Sequence, residues 1–135
     1  MHKSVITFIM ALLVLSLAVP SLQAKERKYT ESQYQKIWCD FNNGKSEVIL
    51  PDGTRADCLT TKNVVEVDYA DKWYEAIGQS LHYATHFNLK RPGILLIIEN
   101  RSDYRFMDRM MNVIDVYNLP IDVWVIDSKV MIEIY

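Results

Sequence analysis

The sequence has little proline, glycine or cysteine: four, four and two residues of each among 135. So little proline and glycine excludes a collagen-like or low-complexity chain, and a hydrophobic content of 50% excludes an intrinsically disordered one. An excess of one charge is also absent, since 15 basic and 17 acidic side chains give a formal net charge of -2. The chain therefore does not bind polyanions by bulk charge, and any contact with nucleic acid must be local.

The first 24 residues differ from the rest in composition. A basic start at Lys3 precedes an almost wholly apolar run from Val5 to Val19, which Pro20 ends. The run is shorter than the roughly 18 to 20 residues that a membrane-spanning helix needs, so we interpret residues 1–24 as a secretory signal peptide rather than an anchor. Residues 25–135 then form a single exported domain, periplasmic or extracellular, with no stable membrane span after cleavage.

The two cysteines, Cys39 and Cys58, both lie in the part that we predict to be exported. Export places thiols in an oxidising compartment, and a domain this small buries only about two thirds of its unfolded surface, so a cross-link would help it. We predict a disulfide, which would close a loop of about 20 residues and stabilise the fold by roughly 3 kcal/mol. The alternative is two buried thiols. We do not expect a zinc site, because no histidine lies at zinc-site spacing from either cysteine.

Hydrophobic periodicity and turn residues predict an α/β fold in the order αβββαβαβ, with a central mixed sheet flanked by helices. The first helix begins after the N-cap Thr30 and stops at Asn42-Asn43-Gly44. Arg91-Pro92-Gly93 ends the second helical region, and the apolar run Ile94–Ile98 predicts a strand buried on both faces. We predict strands at 46–50, 54–60, 63–69, 94–98 and 121–126, further helices at 71–87 and 103–117, and a last segment at 129–135.

Acidic residues recur on the predicted three-stranded meander. Asp57 and Glu66 fall on adjacent strands, alternation places Asp68 on the same face as Glu66, and Glu47 lies on the first strand. Converging carboxylates repel one another unless a hard divalent cation such as Mg²⁺ neutralises them. A metal site is one interpretation of this pattern. The other is a solvated sheet face that carries ordinary surface acids.

The helix after the meander carries a polar stripe that begins beside these acids. Residues three or four apart form it: Lys72, Glu75, Gln79, Tyr83 and His86. From this stripe Lys72 and Gln79 can reach the acidic patch. A lysine beside a metal-bound phosphate can orient or deprotonate an attacking water, while an amide and a phenol can hold the phosphate or a base. The alternative is simply the solvated side of a helix.

Taken in order, these motifs resemble the PD-(D/E)xK phosphodiesterase superfamily. Asp57 matches the acid of its second strand, Glu66-Val67-Asp68 matches its Glu-x-Lys motif except at the last place, and Gln79-Ser80-Leu81-His82-Tyr83 resembles the Gln-x-x-x-Tyr motif of RecB-like members. Residues 66–81 also resemble a segment of small exported bacterial proteins, and the whole resemblance spans about residues 30–126.

This resemblance implies a restriction-endonuclease-like core and an exported, metal-dependent nuclease. Asp57 and Glu66 would bind Mg²⁺ or Mn²⁺, and nucleic acid would be the substrate. The superfamily takes a further acid from the first helix or strand, for which Glu47 is a better candidate than Glu31 because Glu31 lies near the helix start.

The chain departs from the superfamily at Asp68, where the motif has its lysine. In one interpretation the lysine has moved to Lys72, and the catalytic site comprises Asp57, Glu66, Lys72, Gln79, Tyr83 and Glu47. In another, the lysine is lost and the domain is a catalytically inactive binding module in the cell envelope. A third hypothesis is a structural or inhibitor-type protein whose acids are surface groups.

Other polar and aromatic residues have simpler explanations. His82 and His86 are four apart, a spacing compatible with metal, but no third ligand is evident in the sequence, so we do not expect a zinc site. We expect the arginines of the last helix to be solvated and the methionines and tryptophans to pack in the core. These residues are Arg101, Arg105, Arg109, Met107, Met110, Met111, Trp38, Trp73 and Trp124.

Overall fold

A computed structural model of the chain describes residues 25–130. The predicted signal peptide at 1–24 and most of the predicted last segment, 131–135, lie outside the described residues. Between residues 25 and 130, no helix has the length and apolar character needed to cross a bilayer.

Helices and strands of the described residues follow the predicted order, αβββαβαβ. The first helix begins after Thr30, whose side chain and the side chain of Gln33 form a capping box, so the predicted N-cap is confirmed. The elements are α1 (Glu31–Phe41), β1 (Lys45–Ile49), β2 (Arg55–Leu59), β3 (Asn63–Tyr69), α2 (Trp73–Ala84), β4 (Arg91–Ile98), α3 (Tyr104–Val116) and β5 (Asp122–Asp127). Short 3-10 turns, Ala70–Lys72 and Arg101–Asp103, precede α2 and α3.

The five strands form one mixed sheet in the order β1-β2-β3-β4-β5. β1, β2 and β3 pair antiparallel, whereas β3, β4 and β5 pair parallel because α2 and α3 supply the crossovers. Helix α1 covers one face, where Tyr34 and Cys39 pack with Val65, Val67, Leu95 and Ile97. Helices α2 and α3 cover the other, where Ala76 and Met110 pack with Ile94, Leu96 and Ile98. The predicted central mixed sheet flanked by helices is confirmed.

Strand β4 is the centre of the core and is longer than predicted. Its residues Ile94–Ile98 are at most 3% exposed, which confirms burial on both faces. The strand begins at Arg91, however, so Arg91-Pro92-Gly93 belongs to β4 rather than to the end of the preceding helix, and α2 stops at Ala84. Packing explains the difference at Gly93, because a Cβ there would lie 2.8 Å from the ring of Trp124 on β5.

The predicted disulfide between Cys39 and Cys58 is confirmed. It joins α1 to β2 across a Cα–Cα distance of 5.8 Å, and both residues are fully buried. Gly44 passes directly over the bond, since a Cβ at this position would lie 2.5 Å from the Sγ of Cys58. The cross-link therefore fixes α1 against the strand that carries Asp57.

Candidate functional site

The carboxylate of Asp57 lies where β2 and β3 separate. The two strands pair at Cys58–Val65 and Leu59–Val64. Beyond this pairing, the backbone N–H of Val67 donates to Oδ2 of Asp57 over 2.8 Å. The carbonyl of Asp57 accepts from Nε2 of the buried Gln35, at 2.8 Å. Backbone and side chain of Asp57 are therefore both held in a fixed position at this opening.

Three buried acids surround the opening. Asp57, Glu66 and Asp68 are 7%, 5% and 4% exposed. The side chains of Asp57 and Glu66 are hydrogen-bonded to each other, so at least one of these carboxyls carries a proton in the absence of a cation. The Oε2 atom of Glu66 is buried and has no hydrogen-bond partner among the described residues. The predicted convergence of acids on the meander therefore occurs, but in the interior rather than on a solvated face.

This arrangement shifts the acidity of all three groups. Burial raises the pKa of Glu66, and the negative charge of Asp57 raises it further. Burial also raises the pKa of Asp57, although the Val67 N–H opposes the shift. The pKa of Asp68 is raised to about 7, chiefly by burial, even though Lys72 lowers it. Near neutral pH Glu66 therefore retains its proton and Asp68 is partly protonated, unless a cation takes the place of these protons.

Two further charged residues contact Asp68. Glu31, in the first turn of α1, is hydrogen-bonded to Asp68, and burial raises the pKa of Glu31. The ammonium Nζ of Lys72 lies 3.9 Å from Oδ1 of Asp68, and the Lys72 side chain is 46% exposed. The lysine that we predicted as a replacement for the motif residue thus interacts with the acid that occupies the motif position, at the solvent side of the cluster.

Glu47 lies at the edge of the cluster rather than within it. Its Oε1 accepts from Gln35 Nε2 at 2.5 Å, and its Oε2 pairs with Arg55 at 2.6 Å. Its charge nevertheless contributes to the raised pKa of Asp57, after the larger effect of burial. The Glu47 backbone adopts a left-handed φ of 57°, which costs a non-glycine residue about 1 kcal/mol or more. Of the two candidates for the further acid, Glu31 is the one in direct contact with the cluster.

Tyr83 and Gln79 reach the acids from α2. Tyr83 is only 6% exposed and packs with Leu50, Ala56 and Val64, so the alternative interpretation, a solvated helix side, does not hold for this residue. Its hydroxyl is hydrogen-bonded to Glu66 and also accepts from Gln79 Nε2 at 3.3 Å. Gln79 therefore acts on the cluster through Tyr83.

Gln35 bridges Asp57 and Glu47 but belongs to none of the motifs that the sequence shows. Its position in the first helix gave one signal, since a glutamine between Tyr34 and Cys39, which face the core, lies on the inward side of the helix. The periodic pattern alone does not say what such a residue bonds.

Comparison of the chain with protein family models, with curated proteins and with solved structures found no match. The resemblance to the PD-(D/E)xK superfamily therefore remains an expectation from motifs. Any function has to be argued from the geometry of the site itself.

Proposed function

We propose that the domain binds Mg²⁺ or Mn²⁺ through Asp57 and Glu66 and hydrolyses a phosphodiester. One observation carries the proposal: the buried Oε2 of Glu66 has no hydrogen-bond partner among the described residues and belongs to a carboxyl that contacts Asp57. Burying an acid without a donor costs free energy, and a divalent cation removes that cost. The cluster offers oxygen ligands only, which is the donor set that Mg²⁺ and Mn²⁺ prefer.

When bound, the cation would polarise a phosphoryl oxygen as a Lewis acid. Residues of this chain do the remaining work. Val67 N–H and Gln35 hold Asp57 in place, and Tyr83 holds Glu66. The exposed ammonium of Lys72 can bind a phosphate oxygen, offset the negative charge that develops there and orient a water, while its contact with Asp68 limits how far it moves.

The position of the acids along the fold supports a nucleic-acid phosphodiester as the substrate. Asp57 and Glu66 lie on the second and third strands of an αβββαβ order, the arrangement that the restriction-endonuclease-like resemblance implies. The chain has no excess positive charge, so we expect contacts to a few phosphates beside the cluster rather than tight nonspecific binding.

The test is calorimetric titration of the full chain with Mg²⁺ and Mn²⁺, together with cleavage assays on single- and double-stranded DNA, on RNA and on a small phosphodiester. We expect Asp57→Asn and Glu66→Gln to weaken cation binding at least tenfold and to abolish cleavage. Asp108→Asn, which removes an exposed acid of α3, is the matched control and should change neither. Cleavage that survives in both cluster variants would refute the proposal.

A second candidate is a catalytically inactive binding module. Asp68 favours it, because an acid stands at the motif position of the lysine and the nearby Lys72 ammonium faces that acid. This candidate predicts no cleavage with Mg²⁺ or Mn²⁺ and little change in stability when either cation is added, whereas a working site stabilises the fold when it binds its ligand. Export to the cell envelope stays a prediction, and the Cys39–Cys58 disulfide is consistent with it.

A further inference from the structure

A second group of metal-ligand side chains lies at the turn between β1 and β2, outside the carboxylate cluster. Asp52, His82 and His86 each offer one ligand atom, and these atoms all lie within 4.8 Å of one another. His82 lies in the last turn of α2, and His86 lies in the turn that directly follows the helix. The expectation that they have no third ligand is wrong, because the fold brings Asp52 to them from 30 residues earlier in the chain.

Two of the distances in this group are close to those between ligands of one small ion. Oδ2 of Asp52 lies 2.7 Å from Nε2 of His82 and 3.2 Å from Nε2 of His86. A tetrahedral Zn²⁺ with bonds of about 2.0–2.1 Å separates its ligand atoms by about 3.3 Å. The His86–Asp52 pair already has this spacing. The His82–Asp52 pair would have to open by roughly half an ångström.

The carboxylate of Asp52 is already oriented for this role. Its Oδ1 accepts from the backbone N–H of Thr54 at 3.0 Å and from the Thr54 hydroxyl at 2.6 Å. These bonds leave Oδ2 facing both histidines. Carboxylates that bind metals are commonly held in this way by a neighbouring hydrogen bond on the other oxygen.

His86 provides an independent observation. Its Nε2 is buried and makes no hydrogen bond within the described part of the chain, although Asp52 Oδ2 is only 3.2 Å away. A hydrogen bond between Asp52 and His82 satisfies one histidine and leaves the other without a partner. An ion placed among the three ligand atoms would satisfy both.

We propose that Asp52, His82 and His86 bind a first-row transition-metal ion of the Zn²⁺ type. Two imidazole nitrogens and one carboxylate favour Zn²⁺ and its neighbours over Mg²⁺, so this site and the oxygen-only cluster select different ions. Three protein ligands leave a fourth position for water, and the side chains of His82 and Asp52, 49% and 33% exposed, give the ion a path from solvent. The bound ion ties the β1–β2 turn to α2, next to Tyr83.

The test is titration of the full chain, purified without a histidine tag, with Zn²⁺, and with Co²⁺ as a spectroscopic probe of coordination. We expect one Zn²⁺ site with the visible absorption of four-coordinate Co²⁺. His82→Gln and Asp52→Asn should each weaken Zn²⁺ binding at least tenfold. Both positions are largely solvent-accessible, so both variants should fold, which circular dichroism checks.

The Glu66→Gln variant is the matched control, because it removes a ligand of the other proposed site and leaves this one intact. It should bind Zn²⁺ as tightly as the original chain does, even while it loses Mg²⁺. Unchanged Zn²⁺ affinity in both His82→Gln and Asp52→Asn would overturn the proposal. Loss of Zn²⁺ binding in Glu66→Gln would also overturn it, since the ion would then belong to the carboxylate cluster.

Discussion

Two groups of buried acids, one on β2 and β3 and the other in the segment after β4, have opposite surroundings. Asp103, which follows β4, is 2% exposed, and it accepts from Lys25 Nζ at 2.6 Å and from the backbone N–H of Asn100 at 3.0 Å. Burial alone raises the pKa of Asp103, but these hydrogen bonds more than offset that effect and hold it below its usual value. Between β2 and β3, Glu66 is similarly buried, yet its pKa is raised because its neighbours are other acids.

The difference shows that burial of an acid does not by itself indicate function. Glu99, beside Asp103, also has one buried oxygen without a partner among the described residues, but its other oxygen accepts from Lys28 N, Tyr29 N and Tyr34 Oη. That group forms a structural junction between the N-terminal segment and β4. Glu66 instead has one hydroxyl donor, Tyr83, and acidic neighbours, whose charge a cation would neutralise under the proposed function.

The largest expected effect on stability comes from a substitution in the structural group of Asp103 and Glu99. Asp103→Asn should lower the free energy of unfolding by about 3 kcal/mol, because it leaves Lys25 without its partner and weakens the acceptor of two backbone N–H groups. Urea denaturation measures the change, and Asp115→Asn on the exposed side of α3 is the control. A loss no greater than that of the control would mean that the two groups do not differ as described.

The pH dependence of the free energy of unfolding should reveal the opposite behaviour of the acids on β2 and β3. The pKa values of Asp57, Glu66 and Asp68 are raised on folding, so their stabilising contribution is complete below about pH 4 and is lost as pH rises through about 7 and above. Without divalent cations, the free energy of unfolding should fall by at least about 2 kcal/mol between pH 5.5 and 8.5, which is the contribution of Asp68 alone. Stabilisation by Mg²⁺ should grow over the same range. Stability that rises with pH would contradict this account.

A smaller effect should come from Glu66→Gln at pH 8 without metal. The raised pKa keeps Glu66 protonated at this pH, so the amide replaces a neutral carboxyl and the free energy of unfolding should change by less than about 1 kcal/mol in thermal denaturation. Added Mg²⁺ should stabilise the original chain but not the variant. Should the substitution instead destabilise the fold as Asp103→Asn does, Glu66 would be a structural acid of the same kind.

The smallest stability effect should come from Lys72→Met. Its ion pair with Asp68 spans 3.9 Å at a half-exposed side chain, so its loss should change the free energy of unfolding by less than about 0.5 kcal/mol. Cleavage, in contrast, should fall at least a hundredfold if Lys72 binds phosphate as proposed. Unaltered cleavage would show that Lys72 does not bind the phosphate and would indicate that a different amine does.

Much of the fold follows from local patterns in the sequence. The N-cap Thr30, the turn at Pro51-Asp52-Gly53 and the apolar run of β4 each act over a few residues, and alternation along adjacent strands was enough to bring Asp57 near Glu66. The partner of Cys39 followed from composition, since only one other cysteine exists.

The rest depends on contacts between residues that are distant in sequence. Helical spacing could not show that Tyr83 turns inward, because the small Ala56 on another strand makes the space for it. Nor could it place Asp52 beside His82, or show that Gly93 continues a strand because Trp124 covers it. Local turn propensity and polarity do not decide the structure at these positions, because contacts with distant residues outweigh them.

Cys58 directly follows Asp57, so the disulfide also restricts the position of a proposed metal ligand. Without the bond, noncovalent packing alone would hold α1 against β2, and the position of Asp57 would be less restricted. Under the proposed function and the predicted export, oxidation of the two thiols would complete the site outside the reducing compartment in which the chain is made.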